Sequence, residues 1–190
     1  MLNIFAFAVD GQPEVVRAFP QILEGDVRAV AAAVVKGQPH ARFPLSDRVR
    51  LRGEELLIPK RVYYKASALR AACGREGWEG TVALCLGTRH HDGFLRQECA
   101  TRLLQSDMDW TVPFIVQLLG EYVVEVILPI ERWLQGGVGP AYRDFVADNP
   151  RYMVTLEKRA VSYWDCYCRD QYPRMQDYPG IRALSLLRNS

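Results

Sequence analysis

The sequence predicts a mainly α protein: an irregular stack of about six to eight helices, with a small β-hairpin inserted near residues 48–64. Three observations carry that expectation. Apolar residues recur at helical spacing along most of the chain, as in Leu95, Cys99 and Leu103. One short stretch, Arg48-Val49-Arg50-Leu51-Arg52, alternates strictly, the pattern of a half-buried strand. From Ser67 onward only helical patterns follow. A length of 190 residues with 49% hydrophobic residues suits one domain. Its parts are an N-terminal helical portion (1–47), the hairpin insert (48–66), a main helical stack (67–171) and a C-terminal tail (172–190).

The elements follow in order. Pro13 to Leu23 places Val15, Val16, Phe19, Ile22 and Leu23 at helical spacing, interrupted at Pro20. Asp26 reads as the N-cap of a helix over Val27–Lys36, which Gly37 stops. Gln38 to Asp47 has no period and is expected to be a loop. The first strand covers Arg48–Arg52, Gly53 offers the turn, and Leu56 to Tyr64 supplies the second, with Pro59 at an edge or bulge. Such a hairpin must lean on helices, since two strands alone are marginal. Ser67 caps a short helix ending at Gly74, and the apolar run from Trp78 to Thr88 is expected to be buried. Arg89-His90-His91-Asp92-Gly93 is a turn, followed by a helix from Phe94 to Gln105 with Leu95, Cys99, Leu103 and Leu104 inward. Thr111 and Pro113 open a long apolar helix toward Ile130, kinked or ended near Pro129. Gln135 to Pro140 is a loop, and Asn149-Pro150 begins a helix as N-cap and first residue. Its inward stripe is Met153, Leu156, Ala160, Val161, Trp164, Tyr167 and Cys168. Residues around Tyr178-Pro179-Gly180 read as a loosely packed tail.

Charge narrows the classes of function. With 24 Lys+Arg against 22 Asp+Glu, the chain lacks the basic excess of a protein that grips nucleic-acid backbones. The run Arg42, Arg48, Arg50, Arg52, Lys60 and Arg61 is diluted by Glu54 and Glu55. The apolar start Met1–Val9 has no basic leader, and the apolar stretch Val112–Ile130 carries Gln117, Glu121 and Glu125, so no membrane span is expected. Five cysteines without a CxxC pair fit a cytoplasmic protein without a disulfide framework. No nucleotide, zinc-protease or hydrolase motif is present, and no cofactor is expected.

Asp92-Gly-Phe-Leu95-Arg96-Gln-Glu-Cys99-Ala-Thr-Arg-Leu103 resembles the D-x-x-V-R-x-x-A-x-x-x-L pattern of the second helix in HEAT-type repeats, with Leu95 for Val and Cys99 for Ala. A shorter echo lies at Asp26-Val27-Arg28 through Val35. The matching arginines stand 68 residues apart with the hairpin between them, so no fixed period exists. His90-His91-Asp92-Gly93, Trp110-Thr-Val-Pro-Phe and Ser162-Tyr163-Trp164 also resemble a bacterial family that lends no activity. What the HEAT-like resemblance implies is a helical stack whose grooved surface docks another macromolecule.

Gln117, Glu121 and Glu125 fall at i, i+4 and i+8, one polar stripe on the expected long helix. With His90 or His91 they compose a candidate metal or acid–base cluster. The simpler reading makes the stripe a solvated edge, or a face paired with arginines such as Arg132 or Arg159. The C-terminal third is rich in tyrosine, and Tyr163, a residue away from the core stripe, is expected at a surface. The function expected first is a non-catalytic protein-binding or scaffold module (adaptor, inhibitor or immunity-type) using Gln117, Tyr122, Tyr163 and Arg159, its partner another protein. Self-association as a homo-oligomer stays open. The alternatives are an enzyme built on Glu121, Glu125 and His90 or His91, and a nucleic-acid-binding helical repeat.

Overall fold

The computed structural model describes residues 14–35 and 45–190. The apolar start, the helix stop at Gly37 and most of the Gln38–Asp47 loop lie outside them. The described residues form nine α-helices and one two-stranded antiparallel sheet, a mainly α fold with a small inserted hairpin. No helix among them is long and apolar enough to cross a membrane.

Short 3-10 turns at Glu14–Ala18 and Gln21–Leu23 replace the expected α-helix, because Pro20 divides the segment. They still bury Val15, Phe19 and Leu23. Helix α1 (Glu24–Val35) begins two residues before Asp26, which sits in its first turn rather than at the cap. Strands β1 (Ser46–Leu51) and β2 (Glu54–Pro59) pair from Ser46↔Pro59 to Leu51↔Glu54. Arg52 and Gly53 make the two-residue turn at φ 51° and 85°, the left-handed pair that matches strand twist. Val49 and Leu51 face the core and Arg48, Arg50 and Arg52 face solvent, as the alternation requires. The second strand stops at Pro59, short of the expected Tyr64. Beyond it only Val62 pairs again, in a parallel bridge with His90.

Helices α2 (Ala66–Cys73), α3 (Gly77–Gly87) and α4 (Gly93–Leu103) pack side by side, with α1 against α2 and α3. Ser67 lies inside α2, whose cap position is Lys65. The expected long helix is two: α5 (Val112–Leu118) and α6 (Val124–Gln135). Pro129 is accommodated within α6. The break has tertiary causes. A Cβ on Gly120 would stand 2.5 Å from Leu156 Cδ1, so the chain passes close against the following helix pair. The Glu121 carbonyl accepts a hydrogen bond from the buried Tyr178 hydroxyl at 3.0 Å, and its carboxylate is held by arginines.

Two helices complete the stack beside this break, α7 (Pro140–Asp148) and α8 (Pro150–Tyr163). No element was expected over 140–148. Asn149 does not cap α8 through its side chain. Its Oδ1 accepts from the Arg50 N–H (2.7 Å), and its Nδ2 donates to the carbonyls of Arg50 and Phe145 (2.8 Å each), fastening β1 to the α7–α8 corner. A π-helical turn over Trp164–Cys168 extends α8. The expected loose tail is a further helix, α9 (Pro179–Arg188), packed on α6, α7 and α8. A Cβ on Gly180 would lie 3.2 Å from the Leu119 carbonyl oxygen, which is why this close approach needs glycine.

Candidate functional site

Backbone geometry at the α3–α4 turn sets the site. The Val62 N–H donates to the Arg89 carbonyl (2.9 Å), and the His91 N–H to the Val62 carbonyl (3.1 Å). Those two bonds place Arg61 beside Arg89. His90 is fully buried between them. Its Nδ1 accepts the Asp92 N–H at 3.1 Å, which assigns the ring proton to Nε2, the donor to the Tyr64 carbonyl at 2.8 Å. Burial holds its pKa below the ordinary value, and the ring is a neutral brace. Asp92 caps α4, accepting from the Phe94 and Leu95 N–H groups. One turn in, Arg96 bends back so that Nη1 donates to the His90 and His91 carbonyls at 2.9 and 3.0 Å.

Three guanidinium groups converge on Glu121, which is only 3% exposed. Arg61 binds it in bidentate fashion at 2.7 and 2.6 Å, Arg89 donates to Oε1 at 2.7 Å, and Arg96 stands 3.8 Å from Oε2. Burial alone would raise the Glu121 pKa; the Arg89 charge and the Arg61 hydrogen bonds overcome it and hold the carboxyl below its usual range. Arg89 is 1% exposed, and burial lowers its pKa to about 10. Its Nε and Nη1, and the Nε of Arg96, are buried without a hydrogen-bond partner among the described residues. Among the described residues, one carboxylate thus pairs with three cations, and the centre is rich in positive charge.

A second centre adjoins it on β1. Asp47 accepts from Gln117 Nε2 at 2.9 Å and pairs with Arg159 at 3.3 Å and Lys60 at 3.5 Å. Burial opposes ionisation there as well, and the Arg159 contacts outweigh it, so the Asp47 pKa is lowered. Tyr152, on α8, lies within electrostatic reach of Asp47, Arg89 and Arg159, and Tyr163 within reach of Arg61 and Arg159. Three rings, of which Tyr122 and Tyr163 lie within electrostatic reach of Arg61, meet edge to face or tilted. Tyr122 is 5.6 Å from Tyr163 and 5.5 Å from Tyr167, and Tyr163 is 6.1 Å from Tyr167. Tyr167 is 69% exposed and Tyr122 47%. The π-helical turn carries Tyr167 off the expected core stripe to this face.

The structure therefore brings Tyr122 and Tyr163 together, and joins Gln117 to Arg159 through Asp47. It separates the stripe. Gln117 lies in α5, Glu121 in the break and Glu125 exposed on α6, because no single helix spans them. Glu121 takes arginine partners, though Arg61, Arg89 and Arg96 rather than Arg132 or Arg159. His90 has both ring nitrogens on backbone groups, and His91 stacks on Tyr63 at 5.3 Å. No group of three His, Cys, Asp or Glu side chains among the described residues is placed to hold a metal ion. Arg89 and Asp47 escaped sequence reasoning; Arg61 entered it only within the basic run, Tyr167 only as part of the inward stripe, and Arg96 through its place in the helix-pair pattern. Searches with this chain match no family model, no curated protein and no solved structure.

Proposed function

We propose that the protein is a non-catalytic binding module that docks another protein through the face of Tyr122, Tyr163 and Tyr167. The observation that carries this reading is a cluster of three mutually packed tyrosines, Tyr122 and Tyr167 exposed and Tyr163 half-buried, with the partly exposed Arg61 and Arg159 within electrostatic reach of Tyr163. Rings of this kind bring large contact area at low entropy cost, and tyrosine and arginine are the residue types that dominate binding energy at interfaces. Positive charge around the rings favours an acidic partner surface. Both Glu121 oxygens are occupied by guanidinium donors, which suits a structural carboxylate rather than a proton carrier.

The test compares wild type with the Tyr122→Ala/Tyr167→Ala double variant as bait. A protein held by wild type and lost by the variant, then shown to bind as a purified component with at least a tenfold affinity difference, supports the reading. Thermal stability of the variant should stay close to wild type, because both rings are exposed. If every retained protein binds both baits equally, the reading fails.

A further inference from the structure

Among the described residues the cations around Glu121 outnumber the carboxylates that pair with them. Arg61, Arg89, Arg96, Arg159 and Lys60 converge on two carboxylates, Glu121 and Asp47. Three guanidinium nitrogens of Arg89 and Arg96 are buried with no acceptor among the described residues. In a low-dielectric setting that excess is costly, and it projects a positive potential toward solvent. Three of these cations stay partly exposed: Arg61 at 29%, Arg159 at 23% and Lys60 at 39%. Tyr163 stands within electrostatic reach of both arginines, and its hydroxyl is a further donor.

We propose that the partly exposed Arg61, Arg159, Lys60 and Tyr163, beside the buried Arg89 and Arg96 that share Glu121 with Arg61, compose a binding site for a phosphate monoester group. A carboxylate would offset one of the excess charges around Glu121, whereas a phosphate near pH 7 carries close to two and offers three acceptor oxygens. Arginine forks match that geometry better than they match a halide. The anion site stands on the arginines alone; only the idea that the phosphate belongs to a docked protein rests on the reading of the tyrosine face.

Inorganic phosphate is titrated into the whole protein at constant ionic strength held with chloride, and binding is read by calorimetry and by the melting temperature. The expected result is saturable binding with a rise in melting temperature, weakened at least tenfold in Arg61→Gln. Arg159→Gln, at the more peripheral Asp47 centre, should weaken binding too and serves if Arg61→Gln folds poorly. A phosphotyrosyl peptide binding more tightly than phosphate assigns the group to a partner protein. Equal affinity assigns it to a small phosphorylated ligand. Phosphate acting no differently from chloride, or binding both well-folded variants as it binds wild type, overturns the site. Because the Tyr122→Ala/Tyr167→Ala variant keeps every arginine, failure of one proposal does not entail failure of the other.

Discussion

His90 and Glu121 are both buried ionisable groups, the first held neutral and the second ionised. For His90, burial lowers the pKa beneath the ordinary 6.5, so below that value the unfolded chain binds a proton that the folded protein refuses. Its contribution to stability is full above pH 6.5 and is lost as the pH falls through the lowered value. The urea midpoint should drop between pH 7.5 and 5.5 in wild type and drop less in His90→Gln; equal slopes would contradict the neutral brace. Glu121 has a lowered pKa as a carboxyl, so its contribution is full above about 4.5 and is lost only at more acid pH. Glu121→Gln strands three guanidinium groups and should cost about 3–5 kcal/mol in urea denaturation. Adding Arg89→Met should recover part of that loss, since it removes a buried cation that has lost its counter-charge. At this scale the sequence was only partly legible. Glu121 stood out as a polar residue in an apolar run, but Arg61 and Arg89 reach it across 60 and 32 residues, a distance no local pattern encodes.

Elements were most legible where local rules and packing agree. Alternation located the hairpin, and the helical spacing from Phe94 to Gln105 located α4. The errors cluster where tertiary contact overrides local preference. Gly120, one residue past the C-cap of α5, is the local hint of a break after Leu118; its close pass against Leu156 and the bonds to Glu121 impose it. Asn149 looks like a cap by residue type, yet its amide is spent on β1 and Phe145. Asn149→Ala should therefore destabilise the fold by about 1–3 kcal/mol. Hydrogen exchange gives the sharper signature: the β1 amides should exchange faster while α3 stays protected. Uniform acceleration across the protein would mean that the side chain acts by some other route.

For the whole molecule, the expectation of a mainly α stack with one inserted hairpin matches the described residues, with nine helices against the six to eight foreseen. The C-terminus departs from expectation. Tyr178-Pro179-Gly180 looks like punctuation in the sequence, but Pro179 opens α9 and Tyr178, Ala183, Leu184 and Leu187 are buried against the rest of the core. Deleting residues 179–190 should abolish cooperative thermal unfolding and expose dye-binding apolar surface; a truncated protein that melts sharply near the wild-type temperature would count against that role. The π-helical turn at Trp164–Cys168 carries a different consequence. Loss of one codon there would restore ordinary winding and rotate the following side chains by about 100° about the axis. Tyr167 would leave its two neighbours while every upstream core position kept its register. The aromatic face thus depends on an insertion-sensitive phase as much as on which amino acids are encoded, and an indel could erase it where point substitutions only thin it.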